Sequence, residues 1–175
     1  DGTFTMSSGQ ITSGAENSIG VYASGATSST NITGGNVTAQ NGGIAFYSGD
    51  NATINISGSS IITAKAGGLA FYNHVNSGIV TGKYNIIAPS TLKVEAGGML
   101  LYAKVTSLSG IPSLAAAIKS AFTNAGNMTA NMDPGSNIMY IDSPGGTASI
   151  NSFAGLPSLT TGFFNFSGAG YNDYV

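Results

Sequence analysis

Cysteine, tryptophan and arginine are all absent from this chain of 175 residues; its five basic residues are lysines. Charge of either sign is scarce, at 7% of residues, where an ordinary domain carries roughly 25%. Each absence removes a class of protein. Without cysteine there is no disulfide framework, so stability must come from burial and backbone pairing. Without arginine, and at a net charge of -2, no basic stripe exists for nucleic acid and no polybasic cluster for an anionic membrane. No apolar run approaches the roughly 18 residues of a spanning helix, so no membrane insertion of this segment is expected. The single histidine, His74, has no neighbouring His, Cys or clustered carboxylates with which to bind zinc or activate a nucleophile. No cofactor is expected.

Small and apolar residues are plentiful. Glycine accounts for 26 positions, Ser, Thr and Asn together for 56, and hydrophobic residues for 42%. A disordered chain would lack that apolar share and carry more charge. The composition suits many short strands joined by tight corners, in one domain over residues 1–175. The chain opens on Asp1 with no signal-peptide pattern and stops on YNDYV, which suggests a piece of a longer protein.

The strands repeat. GGIAFYSG at Gly42–Gly49 returns as GGLAFYNH at Gly67–His74 and as GGMLLYAK at Gly97–Lys104. Tyr22, Tyr47 and Tyr72 are spaced by 25 residues, and Tyr102 follows 30 later. Strand alternation places Ile44 and Phe46 on one face, with Leu69 and Phe71, and Met99 and Leu101, as counterparts. That column is read as the inner one. Gly20, Ala45, Ala70 and Leu100, followed by the tyrosines, are read as the outer one. A second phrase precedes each Gly-Gly (NVTAQ, IITAK, TLKVE), and a third is shared by TINIS, KYNII and TFTMS. Three strands and three corners in about 25 residues make one coil of a three-sided solenoid, whose stacked coils bury what one coil cannot. The expected fold is therefore all-β: a parallel β-helix of three-stranded coils, with one or two short helical excursions. A sandwich also has short strands, but does not repeat one side-chain pattern at this period. Gly-Gly is expected at a corner that needs positive φ and has no room for a side chain.

Two excursions interrupt the coils. Asn73–Gly82, NHVNSGIVTG, lengthens one repeat by five residues and is expected to project as a loop, a common place for binding. Residues 107–126 form a helical insertion, with Leu114, Ile118 and Phe122 on one face of a helix over Ser113–Asn124. VTSLSGIPSL (Val105–Leu114) returns as INSFAGLPSL (Ile150–Leu159), so the second half repeats with a longer unit, and Tyr140 is the next rung of the tyrosine ladder.

Chemistry-bearing motifs are few. The acids are Asp1, Glu16, Asp50, Glu95, Asp133, Asp142 and Asp173. Glycoside hydrolysis needs two carboxylates at a fixed separation; Asp50 and Asp142 both follow the tyrosine column, but with several coils between them. They read as turn-capping and solvated groups, and the chain is not expected to be an enzyme. The N-x-[ST] triplets at Asn31, Asn36, Asn51, Asn55, Asn127 and Asn165 are what chance provides in such a composition. The candidate partner-binding residues are the inserted Asn73, His74 and Asn76, and the tyrosines Tyr22, Tyr47, Tyr72 and Tyr102. Stacked tyrosines can bind sugar rings or a protein, or simply stiffen their own column.

NITGGNVTAQNGGIAFYSG and SGSSIITAKAGGLAFYN resemble coils of autotransporter passenger domains, the type V-secreted surface adhesins of Gram-negative bacteria. The resemblance is firmest over residues 1–106 and weaker over 107–175. It implies a right-handed parallel β-helix displayed on the outer surface and anchored through a region not present here. It further implies adhesion without catalysis, to a host or bacterial surface protein or glycan, with further coils of the parent chain adjoining. The absence of cysteine fits export in an unfolded state. The competing functions are a polysaccharide-active lyase or hydrolase on the same scaffold, and a stalk spacer that binds nothing.

Overall fold

The computed structural model describes residues 2–106, 111–152, 159 and 162–172. They are mostly β. The first three strands, β1 (Thr3–Met6), β2 (Gln10–Ser13) and β3 (Ile19–Ser24), are followed by β4 (Ser29–Ile32), β5 (Asn36–Ala39) and β6 (Ile44–Gly49), then by β7 (Thr53–Ile56), β8 (Ile61–Ala64) and β9 (Leu69–Asn76). A short β10 (Ile79–Val80) precedes β11 (Lys83–Ile86), β12 (Ser90–Val94) and β13 (Met99–Val105). Helix α1 (Ile111–Ser120) precedes β14 (Phe122–Thr123), β15 (Met128–Met132), β16 (Asn137–Ser143), β17 (Gly146–Ile150), β18 (Asn165–Ser167) and α2 (Ala169–Asn172).

Through β16, and apart from the short β10, successive strands take three sheets in turn. Sheet A is β1-β4-β7-β11-β14, sheet B is β2-β5-β8-β12-β15-β18, and sheet C is β3-β6-β9-β13-β16-β17. Every neighbouring pair is parallel except β16 with β17, and β10 beside β9. The register matches the repeats: Ile44 pairs with Leu69, Phe46 with Phe71 and Tyr47 with Tyr72, and Tyr84 takes the place of Ile54. Inside sheet B, Val37, Ile62 and Leu92 form one fully buried file, and Ala39, Ala64 and Val94 the next. Each buried Ile or Phe stabilises by about 1.5–3 kcal/mol, which allows a chain this poor in charge to fold. On the outer side of sheet A the Asn55 amide donates to Asn31 Oδ1 at 3.0 Å and the Asn85 amide to Asn55 Oδ1 at 3.0 Å. These amides form a ladder of the kind that stiffens stacked strands.

Three expectations need correction. First, Ala45, Ala70 and Leu100, read as outward, are completely buried alongside Phe46, Phe71 and Leu101. Two consecutive inward residues mean that the strand bends between them. The pairing skips this position in each neighbouring strand, and Ile44 and Met99 are left only partly covered. Second, the helix is Ile111–Ser120, not 113–124. Leu114 and Ile118 do face the interior. Phe122 belongs instead to β14, next to Tyr84 in sheet A, and its ring stacks on Tyr84 at 4.8 Å. A spacing of four therefore linked a helical pair to a strand residue. Third, the inserted Asn73–Gly82 is a hairpin rather than a loose loop: β9 runs on to Asn76, and β10 returns beside it, with Ile79 opposite Asn76 and Val80 opposite Val75.

The two ends differ. At the first circuit Phe4, Ile19 and Tyr22 are exposed. At the other end Phe163 and Phe164 are buried against Phe122, and antiparallel β17 covers β16. Most of the second entry phrase (residues 153–158), with Asp1 and Asp173, lies outside the described residues. No helix among the described residues is long and apolar enough to cross a membrane.

Candidate functional site

Three side-chain columns run along the outer side of sheet C, and register places each residue in them. The first is Ile19, Ile44, Leu69 and Met99. The second is the tyrosine ladder, which the structure assembles in full: Tyr22, Tyr47, Tyr72, Tyr102 and Tyr140 lie opposite one another on successive strands. Ring centroids are 5.1, 4.5, 5.0 and 5.5 Å apart, and the planes of Tyr72, Tyr102 and Tyr140 are nearly parallel. The third column holds His74, Lys104 and Asp142.

Stacking at these distances occupies the ring faces. The inner rungs therefore present edges and hydroxyls to the outside, not flat platforms. Tyr22, the first rung, is 54% exposed. Burial against neighbouring rings raises the Tyr47 phenol and pushes Tyr72 up to about 12. Tyr102 is raised too, first by burial and then by its bond to Asp142: its hydroxyl donates to Asp142 Oδ2 at 2.8 Å. Lys104 Nζ donates to the same oxygen at 2.5 Å, and the two bonds hold the Asp142 carboxyl below its usual range.

A tyrosine raised in the folded state binds its proton more tightly than in the unfolded chain. Its contribution is present below pH 10 and is lost as pH rises through the folded value. We expect these tyrosines to add no pH dependence below about 10 and the fold to weaken from there toward 12. A phenolate absorbance titration followed alongside circular dichroism checks this; Tyr47, Tyr72 and Tyr102 all ionising near pH 10 with the fold intact would contradict it.

Beside the ladder runs a corner built from left-handed residues. Asn17, Gly42, Gly67, Gly97 and Gly135 all have positive φ. Their backbones form a ladder of their own: the Gly42 N–H donates to the Gly67 carbonyl at 2.8 Å, Gly67 to Gly97 at 2.9 Å and Gly97 to Gly135 at 2.9 Å. With no side chains at Gly42, Gly43 and Gly67, an open groove of about 380 Å³ remains between corner and tyrosines. Ile44, Leu69 and Met99 line its floor, Tyr72 and Tyr102 one wall, and Lys104 with Asp142 the far end. From Asn17 to Asp142 it crosses five strand levels, about 19 Å at the strand spacing of a sheet.

The residues expected to bind a partner divide accordingly. Tyr72 and Tyr102 line the groove; Tyr22 and Tyr47 continue the ladder beyond it. Asn73 is not in a projecting loop: it is 1% exposed and points inward, its amide donating to the carbonyls of Phe71 and Tyr102, while its Oδ1 has no partner among the described residues. His74 sits in a strand in register with Lys104, not in a loop. Asn76 is exposed at the hairpin tip and accepts the Thr106 hydroxyl at 2.9 Å. Lys104 and Asp142 were missed as site residues. Their signal was in the sequence: each lies two residues past a ladder tyrosine, which puts opposite charges side by side on adjacent strands. Among the described residues Asp142 is the one carboxylate lining the groove. No family model, curated protein or solved structure matches the chain.

Proposed function

We propose that this chain is a run of coils from a right-handed parallel β-helix, displayed on a bacterial cell surface as part of an adhesin of the autotransporter type. The reading is supported by strands that visit three sheets in turn with residues in register one circuit apart. Right-handedness follows from the rule that parallel crossover connections are right-handed in about 98% of cases. The sequence resemblance supplies the surface location, the anchoring through a region outside these residues, and the attachment to a host or bacterial surface protein or glycan.

The observation that carries the adhesive reading is the groove over sheet C. A spacer has no use for an open apolar floor flanked by phenols and kept free by glycine corners. A hydrolase would need two carboxylates at one site, and this groove offers Asp142, already held by Lys104.

The test is attachment of the purified chain to bacterial and epithelial cells. Leu69→Lys or Met99→Glu, placed in the groove floor, is expected to reduce attachment at least tenfold, with circular dichroism confirming the fold. Ile61→Thr, on the exposed side of sheet B, is expected to leave it unchanged. Equal attachment by all of these proteins would support the spacer instead.

A further inference from the structure

We propose that the groove on sheet C binds an uncharged oligosaccharide, laid obliquely across the strands from the Asn17 corner to Asp142. This inference rests on the adhesive reading and narrows it to one class of ligand.

The first argument is charge. Among the described residues, Lys104 and Asp142 are the charged ones lining the groove, and they neutralise each other at 2.5 Å. A sulfated or uronic-acid polymer would have to break that pair to reach Lys104, and would meet the Asp142 carboxylate as it did so. The whole chain, at -2, provides no compensating attraction.

Hydrogen-bonding capacity is the second. The backbone of sheet C is used in its own parallel ladders across this region, so an extended peptide would find none of the main-chain pairing by which strands add to a sheet edge. What remains is side-chain chemistry. Among the described residues the Tyr72 hydroxyl has no protein partner, the Tyr102 hydroxyl donates to Asp142 and keeps acceptor capacity, and the Asn17 amide stands at the other end. These groups both donate and accept, as sugar hydroxyls do.

The apolar floor completes the match. Ile44, Leu69 and Met99 form a stripe beneath those polar groups. A pyranose ring carries C–H faces alongside equatorial hydroxyls, and a short chain of them is of a size with a groove about 19 Å long. Because the tyrosine faces are taken by each other, affinity comes from hydroxyl contacts and the floor rather than ring stacking, and should be modest for one groove.

The experiment measures binding of neutral gluco-, manno- and galacto-oligosaccharides of increasing length by calorimetry, with dextran sulfate as the charged counterpart. Binding of at least one neutral series, strengthening with length until the groove is filled, is expected. Tyr72→Phe keeps the ring in the stack and removes only the free hydroxyl. It should weaken binding about five- to tenfold, as expected for one lost hydrogen bond, without changing the melting temperature. Tyr22→Phe, outside the groove, should have no effect. Absence of neutral binding, preference for dextran sulfate, or a Tyr72→Phe protein that binds as tightly as the parent would each overturn the proposal. If Leu69→Lys still abolishes cell attachment in those cases, the groove is adhesive for another ligand; if attachment is also unaffected, the adhesive reading falls with it.

Discussion

Gly68→Ala is expected to destabilise the fold more than Gly67→Ala, although only Gly67 has positive φ. The two glycines of each Gly-Gly pair do different things. Gly67 has φ +71°, and an added Cβ would meet its nearest neighbours at 3.4 Å, an ordinary contact. Alanine there bears the left-handed penalty alone, about 1–2 kcal/mol. Gly68 has no such φ, but a Cβ would fall well under 3.0 Å from the Ala39 carbonyl and the Gln40 nitrogen. Those atoms are backbone of the circuit beneath, and they cannot turn aside as a side chain can. Gly43 and Gly98 meet the carbonyls of Ser13 and Ala64 in the same way. The fifth corner has Ser136 in that place, behind Pro134, so a corner can be built around a Cβ. The cost at Gly68 is that of rebuilding one packed to glycine, about 3 kcal/mol at the upper end of overpacking. Thermal unfolding should show a drop of about 10 °C for Gly68→Ala and a few degrees for Gly67→Ala. A larger loss for Gly67→Ala would mean that conformation, not close approach, explains the second glycine.

That pair also shows what the sequence could and could not disclose. Recurrence of Gly-Gly, of the tyrosine and of the apolar phrases was enough to place residues one circuit apart in register, because stacking copies one local environment along the chain. It could not disclose the bend between Ala45 and Phe46. Alternation assumes a straight strand, and small residues at the first position are equally at home inside or out. Nor could it place Asn73, since an insertion of polar residues looks the same whether it hangs free or continues a strand into a hairpin. The groove is half legible: the spacing of the tyrosines gives the ladder, whereas straight-strand alternation sends its floor to the core. Lys104 and Asp142 are 38 residues apart, so their pairing shows only when the tyrosine ladder is used as the ruler, each lying two residues past a rung. The antiparallel β17 had no repeat to announce it.

Tyr84→Phe is expected to be the most costly hydroxyl deletion in the molecule, and the reason lies where the hairpin leaves the sheet. Pairing between β6 and β9 stops at Tyr47 and Tyr72, while β9 and β13 stay paired as far as Val75 and Val105. Past that point β6 and β9 part, leaving the Ser48 N–H and the Tyr72 carbonyl without each other. Tyr84, buried to 1% exposure, puts its hydroxyl between them: it accepts from the Ser48 N–H at 3.2 Å and donates to the Tyr72 carbonyl at 2.6 Å. The Ser48 hydroxyl meanwhile donates to the Ala52 carbonyl at 2.8 Å and accepts from the Lys83 N–H at 3.3 Å, which ties the returning chain to the same place. Phenylalanine at 84 fills the space but leaves a buried donor and a buried acceptor unmet, at about 1–3 kcal/mol each. Tyr102→Phe removes a bond at the surface, and Asp142 keeps Lys104, so that loss should stay within about 1 kcal/mol. Denaturant melts of the two variants give the comparison, and amide exchange gives the location: the Ser48 amide should lose protection in Tyr84→Phe and keep it in Tyr102→Phe. Equal stability of the two proteins, with the Ser48 amide still protected, would show that the parted strands do not depend on the hydroxyl between them, and that the hairpin is held by β10 alone.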